Sequence, residues 1–339
     1  MPRVSIIVPC YNERETIRLL LDAIRGQTFP VRELEVIIAD GLSTDDTRRE
    51  IASFQGAHPE LEVRVVDNPR RIIPAALNRA LEEARGEIVV RLDAHSAPKQ
   101  DYVEQCVAAL EAGRGENVGG LWEILPGAEN WKARAIAAAA SHPLGVGDAR
   151  YRLGGEPQLV DTVPFGAFYR ELVERIGPFD ETLLTNEDYE FNVRIRQSGG
   201  RVWFDPAIRS AYFARRDFAA LARQYWRYGY WKARMLRRYP GAFRIRQAAG
   251  LFVISFPLLA LLGLWRPWAW FLLGLESLGY LLGLMTAGVQ IGWKKKEISM
   301  VLGVPIAIAV MHFSWGSGFL WSLIDRDHSL TERRFSLRP

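Results

Sequence analysis

Hydrophobic and polar positions alternate in blocks along the first third of the chain. Val4-Ser5-Ile6-Ile7-Val8 is a β-branched run stopped by Pro9, which reads as a buried strand. Residues 15–25 place Ile17, Leu20, Leu21 and Ile24 at helical spacing. Residues 34–39 predict a second strand, closed by Asp40-Gly41. Ser43 or Thr44 is then the expected cap of a helix with Asp45 and Asp46 in its first turn. Residues 61–66 predict a third strand, 74–84 a helix, and 87–92 a fourth strand after a break at Gly86. Strands alternating with helices through short links predict an α/β fold with a mostly parallel, doubly wound sheet. Ligands of such sheets sit beyond the carboxyl ends of the strands. Tyr11, Asp40 and Asp93 all fall at such ends.

The pattern changes further along. Helices are predicted at 101–111, 131–140, 172–176 and 188–197, a loop at 113–120, and a glycine-rich mobile loop at 143–157. Residues 217–247 mix Tyr225, Trp226, Tyr228, Tyr230 and Trp231 with Arg223, Arg227, Lys232, Arg234, Arg237 and Arg238. That mixture suits a helix lying at a membrane surface. The alternative is an ordinary helix packing its aromatics inward. Three apolar runs follow, at 248–265, 267–291 and 299–324, with Glu276 the one acidic residue inside them. Each reaches roughly the 18 residues that a bilayer core requires. The expected organisation is therefore a domain at 1–215, an interfacial segment at 216–247, transmembrane helices within 248–324 and a tail at 325–339. Lys294-Lys295-Lys296 and the arginines from Arg234 to Arg246 belong on the cytosolic side. A third complete span places Arg326, Arg333, Arg334 and Arg338 outside, against that rule. A re-entrant third segment, permitted by Pro305, Gly316 and Gly318, removes the conflict; three spans are the expectation.

Composition narrows the class. The 339 residues are 49% hydrophobic, enough for a substantial core. Two cysteines exclude a disulfide framework and a cysteine-built zinc site. A net charge of +4 is too small to point to nucleic acid. The apolar run at 4–8 is too short for a signal peptide, so the first domain is expected in the cytosol.

Chemistry concentrates in a few places. Asp93-Ala94-His95 follows the fourth predicted strand. Side chains two apart on an extended segment share a face. A carboxylate plus an imidazole suits Mn²⁺ or Mg²⁺ held jointly with a diphosphate. Alone such a triplet usually means nothing; at a strand end, in step with Asp40, it gains weight. Glu187-Asp188 at a helix start reads as acids favoured by the macrodipole, or as a base placed for chemistry.

Together these segments resemble family 2 glycosyltransferases. The resemblance rests on residues 4–13, on Asp40-Gly41-Leu42-Ser43-Thr44-Asp45-Asp46-Thr47, on Asn78-Arg79-Ala80, and on Arg91-Leu92-Asp93-Ala94-His95-Ser96. It continues in Gly177-Pro178-Phe179-Asp180-Glu181 and Asn186-Glu187-Asp188-Tyr189-Glu190, and covers the chain to about residue 215. It implies a GT-A fold, a nucleotide-sugar donor, a divalent cation and inversion at the anomeric carbon. It implies Asp188 as the base and Glu187 as an acceptor contact. Asp40 would receive a hydrogen bond from the nucleotide base, while Pro9, Tyr11 and Glu13 border base and ribose. Asp93 and His95 would hold the metal, and Phe165 and Gly166 would line the acceptor side. Gln224-Tyr225-Trp226-Arg227-Tyr228 resembles the Q-x-x-R-W motif of processive synthases, which implies acceptor or diphosphate contacts at Gln224 and Arg227. The chain departs from the family in carrying His95 where an aspartate is common, and Tyr228 for the tryptophan. Arg70, Arg71 and Arg79 are either phosphate contacts or solvated charges.

The expected function is a membrane-anchored, inverting transferase with its catalytic domain in the cytoplasm. It would move a sugar, from a UDP-sugar by preference, to a lipid-linked polyprenyl saccharide in polysaccharide or glycolipid synthesis. The alternatives are a processive polysaccharide synthase and a nucleotidyltransferase.

Overall fold

A computed structural model describes residues 1–244 and 249–325. Arg246 and all of the expected tail beyond Asp325, with Arg326, Arg333, Arg334 and Arg338, lie outside the described residues. The chain divides into two compact units. Among the described residues the first comprises Met1–Glu123 and Gly154–Tyr212; the second comprises Ile124–Leu153 and the residues from Phe213 to Asp325. The stretch Ile124–Leu153, expected inside the N-terminal domain, thus groups with the C-terminal part.

In the first unit β1 (Val4–Cys10), α1 (Ile17–Arg25), β2 (Leu34–Asp40), α2 (Thr47–Ala57), β3 (Glu62–Asp67), α3 (Ile73–Glu83) and β4 (Ile88–Arg91) follow in the predicted alternation. β1 pairs in parallel with β2, opposing Ile7 to Ile37, and with β4, opposing Ile7 to Arg91. The chain then continues through β5 (Ser96–Pro98), α4 (Tyr102–Glu111), β6 (Asn117–Leu125), β7 (Gln158–Leu159), β8 (Ala167–Tyr169), α8 (Glu171–Ile176), α9 (Glu187–Gln197) and β9 (Val202–Phe213). The strand order is β3-β2-β1-β4-β8-β6-β9-β5, with β7 beside β9. The β4–β8, β6–β8, β5–β9 and β7–β9 pairs are antiparallel. The sheet is therefore mixed, not mostly parallel. Residues 117–120, expected in a loop, begin a strand instead. Gly120 hid it: a side chain there would strike the Ile208 carbonyl of β9, so the close approach of strands demands glycine.

The core fills as the periodicity requires. Ile6, Val8, Val36, Ile38, Ile88 and Val90 of the strands pack with Leu20, Leu21 and Ile24 of α1 and Val103, Cys106 and Leu110 of α4. Each such side chain contributes about 1.5–3 kcal/mol through burial. Cys10 and Cys106 are buried free thiols. At the amino end of β2 the fully buried Glu35 accepts hydrogen bonds from Ser5 (2.6 Å), Arg64 (2.7 Å) and the backbone and guanidinium of Arg85 (2.7–2.9 Å). Burial pushes its carboxyl up, but these bonds outweigh it and hold the group below the ordinary glutamate value.

The second unit is helical. It contains α5 (Trp131–Ala139), α6 (Pro143–Val146), α7 (Arg150–Leu153), α10 (Phe218–Arg238), α11 (Ser255–Gly263), α12 (Pro267–Lys295) and α13 (Ser299–Ile324). The loop expected at 143–157 thus carries two one-turn helices. On α10 the aromatics go inward: Tyr225, Tyr230 and Trp231 are buried. Gly229 and Gly318 let α10 and α13 cross closely, since a side chain at either would meet a backbone carbonyl of the other helix. The apolar run at 248–265 does not form one long helix. A 3-10 segment, Ala249–Ile254, precedes the nine-residue α11, whose first turn holds Pro257. Proline lacks the N–H that would extend an α-helix backward through that point. Among the described residues α12 and α13, with 29 and 26 residues, are long and apolar enough to cross a membrane.

Candidate active site

Two loops at the carboxyl ends of β1 and β2 are latched to each other. The Asn12 N–H donates to Ser43 Oγ (2.9 Å), the Glu13 N–H to Thr47 Oγ1 (2.8 Å), and Asn12 Oδ1 accepts from the Thr44 N–H (2.8 Å). Asn12 and Leu42 adopt left-handed backbone at φ 54° and 59°, a conformation natural for asparagine and strained for leucine. Ser43 therefore serves the loop rather than capping α2. Asp45 accepts from both the N–H and hydroxyl of Thr47, and the helix begins only there.

Asp40 ends β2 with a fully buried carboxylate. It accepts from the Ser43 N–H (3.0 Å), from Ser43 Oγ (2.5 Å) and from Arg48 Nε (2.5 Å). These bonds make it an organiser of the loop that follows. Tyr11 is half-buried, with the Arg71 guanidinium 5.7 Å from its ring centroid. Pro9 lies within β1 opposite Ala39. Arg70 pairs with Glu181, and Arg79 pairs with its helix neighbour Glu82 (2.7 Å), so Arg79 is a solvated helix charge.

Past β4 the chain turns. Ser96 donates its N–H (2.9 Å) and hydroxyl (2.8 Å) to the Asp93 carbonyl, closing a turn through Ala94 and His95. The extended geometry from which Asp93 and His95 were expected to share a face is therefore absent. His95 Nδ1 lies 3.0 Å from Glu13 Oε1, and Asp93 accepts from Arg91 Nη2 (3.3 Å). The same Nη2 donates to Glu187 Oε1 (2.8 Å). Arg91 and Glu187 are both buried. Burial pushes the Glu187 carboxyl up to about 7, against the pull of Arg91 and with help from Asp188 and Asp93. Burial lowers the Arg91 pKa, but the surrounding acids more than reverse this and keep the guanidinium charged.

Glu187 and Asp188 open α9 after Asn186, itself left-handed at φ 70°. The helix is fixed on several sides. Tyr189 donates to Asp161 (2.8 Å), the Asn192 amide donates to the Val163 carbonyl (3.0 Å), and Arg194 donates to the carbonyls of Ile176, Gly177 and Pro178 (2.6–2.9 Å). Asp188 is half-buried, its Oδ1 accepting from the Tyr189 N–H (2.7 Å). Asn78 of α3 clamps the preceding loop by exchanging two hydrogen bonds with the Phe179 backbone (both 2.9 Å). Phe165 and Gly166 are buried: the Phe165 carbonyl accepts from Tyr102 (2.8 Å) and that of Gly166 from the Arg91 N–H (3.0 Å). They support β4 rather than line an open surface. Gln224 and Arg227 belong to α10 of the second unit, where Gln224 donates to the Tyr228 hydroxyl (2.9 Å).

The chain has counterparts among known proteins. Residues 5–177 match the family described as "Glycosyl transferase family 2". This chain belongs to that family. The glycosyltransferase is 31% identical to the succinoglycan biosynthesis protein ExoA of Rhizobium meliloti (strain 1021) over 326 residues, 94% of each chain. It is 27% identical to a dolichyl N-acetyl-alpha-D-glucosaminyl phosphate 3-beta-D-2,3-diacetamido-2,3-dideoxy-beta-D-glucuronosyltransferase of Methanococcus voltae, covering 95% of this chain and 97% of that one. Among solved structures it is similar to the mannosyltransferase PcManGT of Pyrobaculum calidifontis in complex with GDP-Man and Mn²⁺. That match has a TM-score of 0.62 and 25% identity, over 96% of this chain and 88% of the other.

The donor set limits which cation the glycosyltransferase could hold. Among the described residues no group of three or more His, Cys, Asp or Glu could hold a metal by itself. Asp93 and His95, partly exposed, offer at most two ligands. That suits Mg²⁺ or Mn²⁺, which readily take most of their coordination from substrate phosphates and water. Sequence reasoning missed Arg91 and the His95–Glu13 contact. For Arg91 a signal existed: an arginine inside the buried run Ile88-Val89-Val90-Arg91-Leu92 must find acids within the fold.

Proposed function

We propose that this glycosyltransferase moves one sugar from a nucleoside-diphosphate sugar to a lipid-linked saccharide, with inversion, during polysaccharide or glycolipid synthesis. One observation carries the reading: Asp93, beyond β4, and the Glu187-Asp188 pair, opening α9, are gathered around the Arg91 guanidinium. A leaving diphosphate needs positive charge beside it, and an entering hydroxyl needs a base. A cation held by Asp93 and His95 would stabilise the charge that grows on the diphosphate. Asp188 takes the acceptor proton. Tyr11, Pro9 and Glu13 border the nucleoside, and Asp40 shapes the loop beside it. For Gln224 and Arg227 an acceptor or diphosphate contact rests on the resemblance of their motif alone.

The names of the relatives support the substrate classes. One relative is a succinoglycan protein, one a transferase acting on a dolichyl-linked sugar phosphate, and PcManGT was solved with GDP-Man and Mn²⁺. On the resemblance of its sequence motifs the donor is a UDP-sugar; the GDP-Man bound by PcManGT makes a GDP-sugar the alternative to test. The second unit supports a membrane setting. α12 exposes Leu272, Leu275, Leu278 and Leu282 along its length, with Trp268 and Trp270 near one end and Trp293 near the other. Tryptophans at both ends of an apolar helix match the two interfaces of a bilayer. Lys294-Lys295-Lys296 at the end of that helix support a cytoplasmic face there, and with it the reading of a cytoplasmic catalytic unit.

The test is a donor screen on the full chain in its membrane. UDP- and GDP-sugars are offered with Mn²⁺ and a membrane lipid extract, and labelled lipid and released nucleotide are measured. Stoichiometric nucleoside diphosphate with one sugar added per lipid is the expected result. Release of inorganic diphosphate would point to nucleotidyl transfer, and long polymer to a processive synthase; either overturns the reading.

A further inference from the structure

The acid pair of α9 does not stand by itself. Its first member, Glu187, is held by a guanidinium from a different strand of the sheet. Arg91 Nη2 lies 2.8 Å from Glu187 Oε1 and 3.3 Å from Asp93 Oδ1, the shorter bond going to the helix acid. The Arg91 side chain is 7% exposed and that of Glu187 is 6% exposed, so neither has open surface for a substrate. Two features argue that this pairing does more than hold the fold together. Arg91 Nε and Nη1 are buried with no protein hydrogen-bond partner among the described residues. Leaving such donors unmet is unfavourable, and an apolar side chain would fill the same place without that cost. Moreover, the guanidinium sits amid three acids, Asp93, Glu187 and Asp188, whose charges all act on it. An acid cluster of that density next to a base needs one fixed cation to hold its members in place.

We propose that Arg91 is a positioning residue for transfer: through its bond to Glu187 it fixes the first turn of α9, and so aims the neighbouring Asp188 at the acceptor hydroxyl. Glu187 is the relay in this arrangement, not an acceptor contact. Arg91 is anchored for the task from behind, its backbone N–H donating to the Gly166 carbonyl (3.0 Å). That gives the buried Phe165-Gly166 segment its part: it sets the strand from which Arg91 projects. The inference rests on the reading of Asp188 as the base, and the experiment separates the two.

Arg91→Gln, Arg91→Lys, Glu187→Gln, the double variant Arg91→Gln/Glu187→Gln and Asp188→Asn are made in the full chain. Each is assayed for transfer with whichever of UDP-glucose, UDP-N-acetylglucosamine and GDP-mannose turns over, and for binding of UDP or GDP with Mn²⁺. Arg91→Gln is expected to lower kcat about 100-fold while nucleotide Kd and donor KM change less than about 3-fold. Arg91→Lys keeps a cation but not the forked geometry, and is expected to retain about a tenth of wild-type kcat. The double variant removes both buried charges and is expected to recover about 10-fold over Arg91→Gln. Should Arg91→Gln fail to fold, Arg91→Lys and the double variant carry the same comparison. The positioning role is overturned if nucleotide affinity falls in step with kcat, if kcat is unchanged, or if the double variant gains nothing. Asp188→Asn with normal kcat would instead remove the base on which the proposal rests.

Discussion

Glu13 Oε1 and His95 Nδ1 lie 3.0 Å apart although 82 positions separate them in the chain. A carboxylate on Nδ1 fixes the imidazole with its proton on that nitrogen and leaves Nε2 as a lone-pair donor. Metal-binding histidines are commonly oriented this way. Glu13 also accepts from the Thr16 hydroxyl (2.5 Å), so it is itself held in place. If His95 is a ligand, Glu13→Gln should raise the Mn²⁺ concentration for half-maximal transfer by about 10-fold, within the range seen when such supports are removed. His95→Ala should raise it further. Identical Mn²⁺ titrations for wild type and both variants would take His95 out of the cation site.

Asp188 is expected to matter for chemistry and not for donor capture. Asp188→Asn should lower kcat by roughly 10²–10⁴, the usual worth of a placed base. Binding of nucleoside diphosphate with Mn²⁺, followed by calorimetry, should remain near the wild-type value. A proportionate fall in nucleotide affinity would contradict the assignment.

Glu35 makes a prediction about stability at the opposite end of the strands. Its carboxylate is fully buried under Ser5, Arg64 and Arg85, and its folded pKa lies below the ordinary 4.5. A depressed pKa contributes stability that is fully present above 4.5 and is lost as pH falls through the folded value. Glu35→Ala removes a buried acceptor, leaves the Ser5 hydroxyl and the Arg85 N–H without it, and should cost about 1–3 kcal/mol. Thermal unfolding at pH 7 measures this, with transfer kcat in the surviving folded protein unchanged. A shift in Tm of less than a degree or two would show the network to be dispensable.

The sequence made the first four strands and their helices legible because each carries one uninterrupted hydrophobic period. It made Asp40, Asp93 and Asp188 legible because they stand where a strand ends or a helix starts. What it hid was non-local. β6 is masked by Gly119-Gly120, which read as loop until Val163 is known to press against the first and Ile208 of β9 against the second. The turn at Asp93 depends on Ser96 bonding backward, and spacing alone assigned it an extended form. The buried state of Phe165 and the saturation of Asp40 by Arg48 also come from contacts far along the chain or across a loop. Hydropathy located the apolar segment at 248–265 but did not reveal that Pro257 would delay its α-helix.

Glu187 supplies the remaining prediction, with a sign opposite to that of Glu35. Its folded pKa is raised from 4.5 to about 7 by burial, with Asp188 and Asp93 adding to the rise and Arg91 opposing it. Between these values the folded state binds a proton that the unfolded chain has released. Stability from this group therefore falls as pH rises from about 4.5 to about 7, and is fully present only below that window. The full shift corresponds to at most about 3 kcal/mol. Glu187→Gln cannot titrate, and the Arg91 it leaves with Asp93 as its carboxylate partner adds a penalty that varies little with pH. The difference in Tm between wild type and Glu187→Gln should therefore move in favour of wild type as pH is lowered from 7.5 to 5. Taking the difference removes the titrations common to both proteins, Glu35 among them. A difference that stays flat across that range would mean that Arg91 holds Glu187 fully ionised in the folded protein at every pH tested.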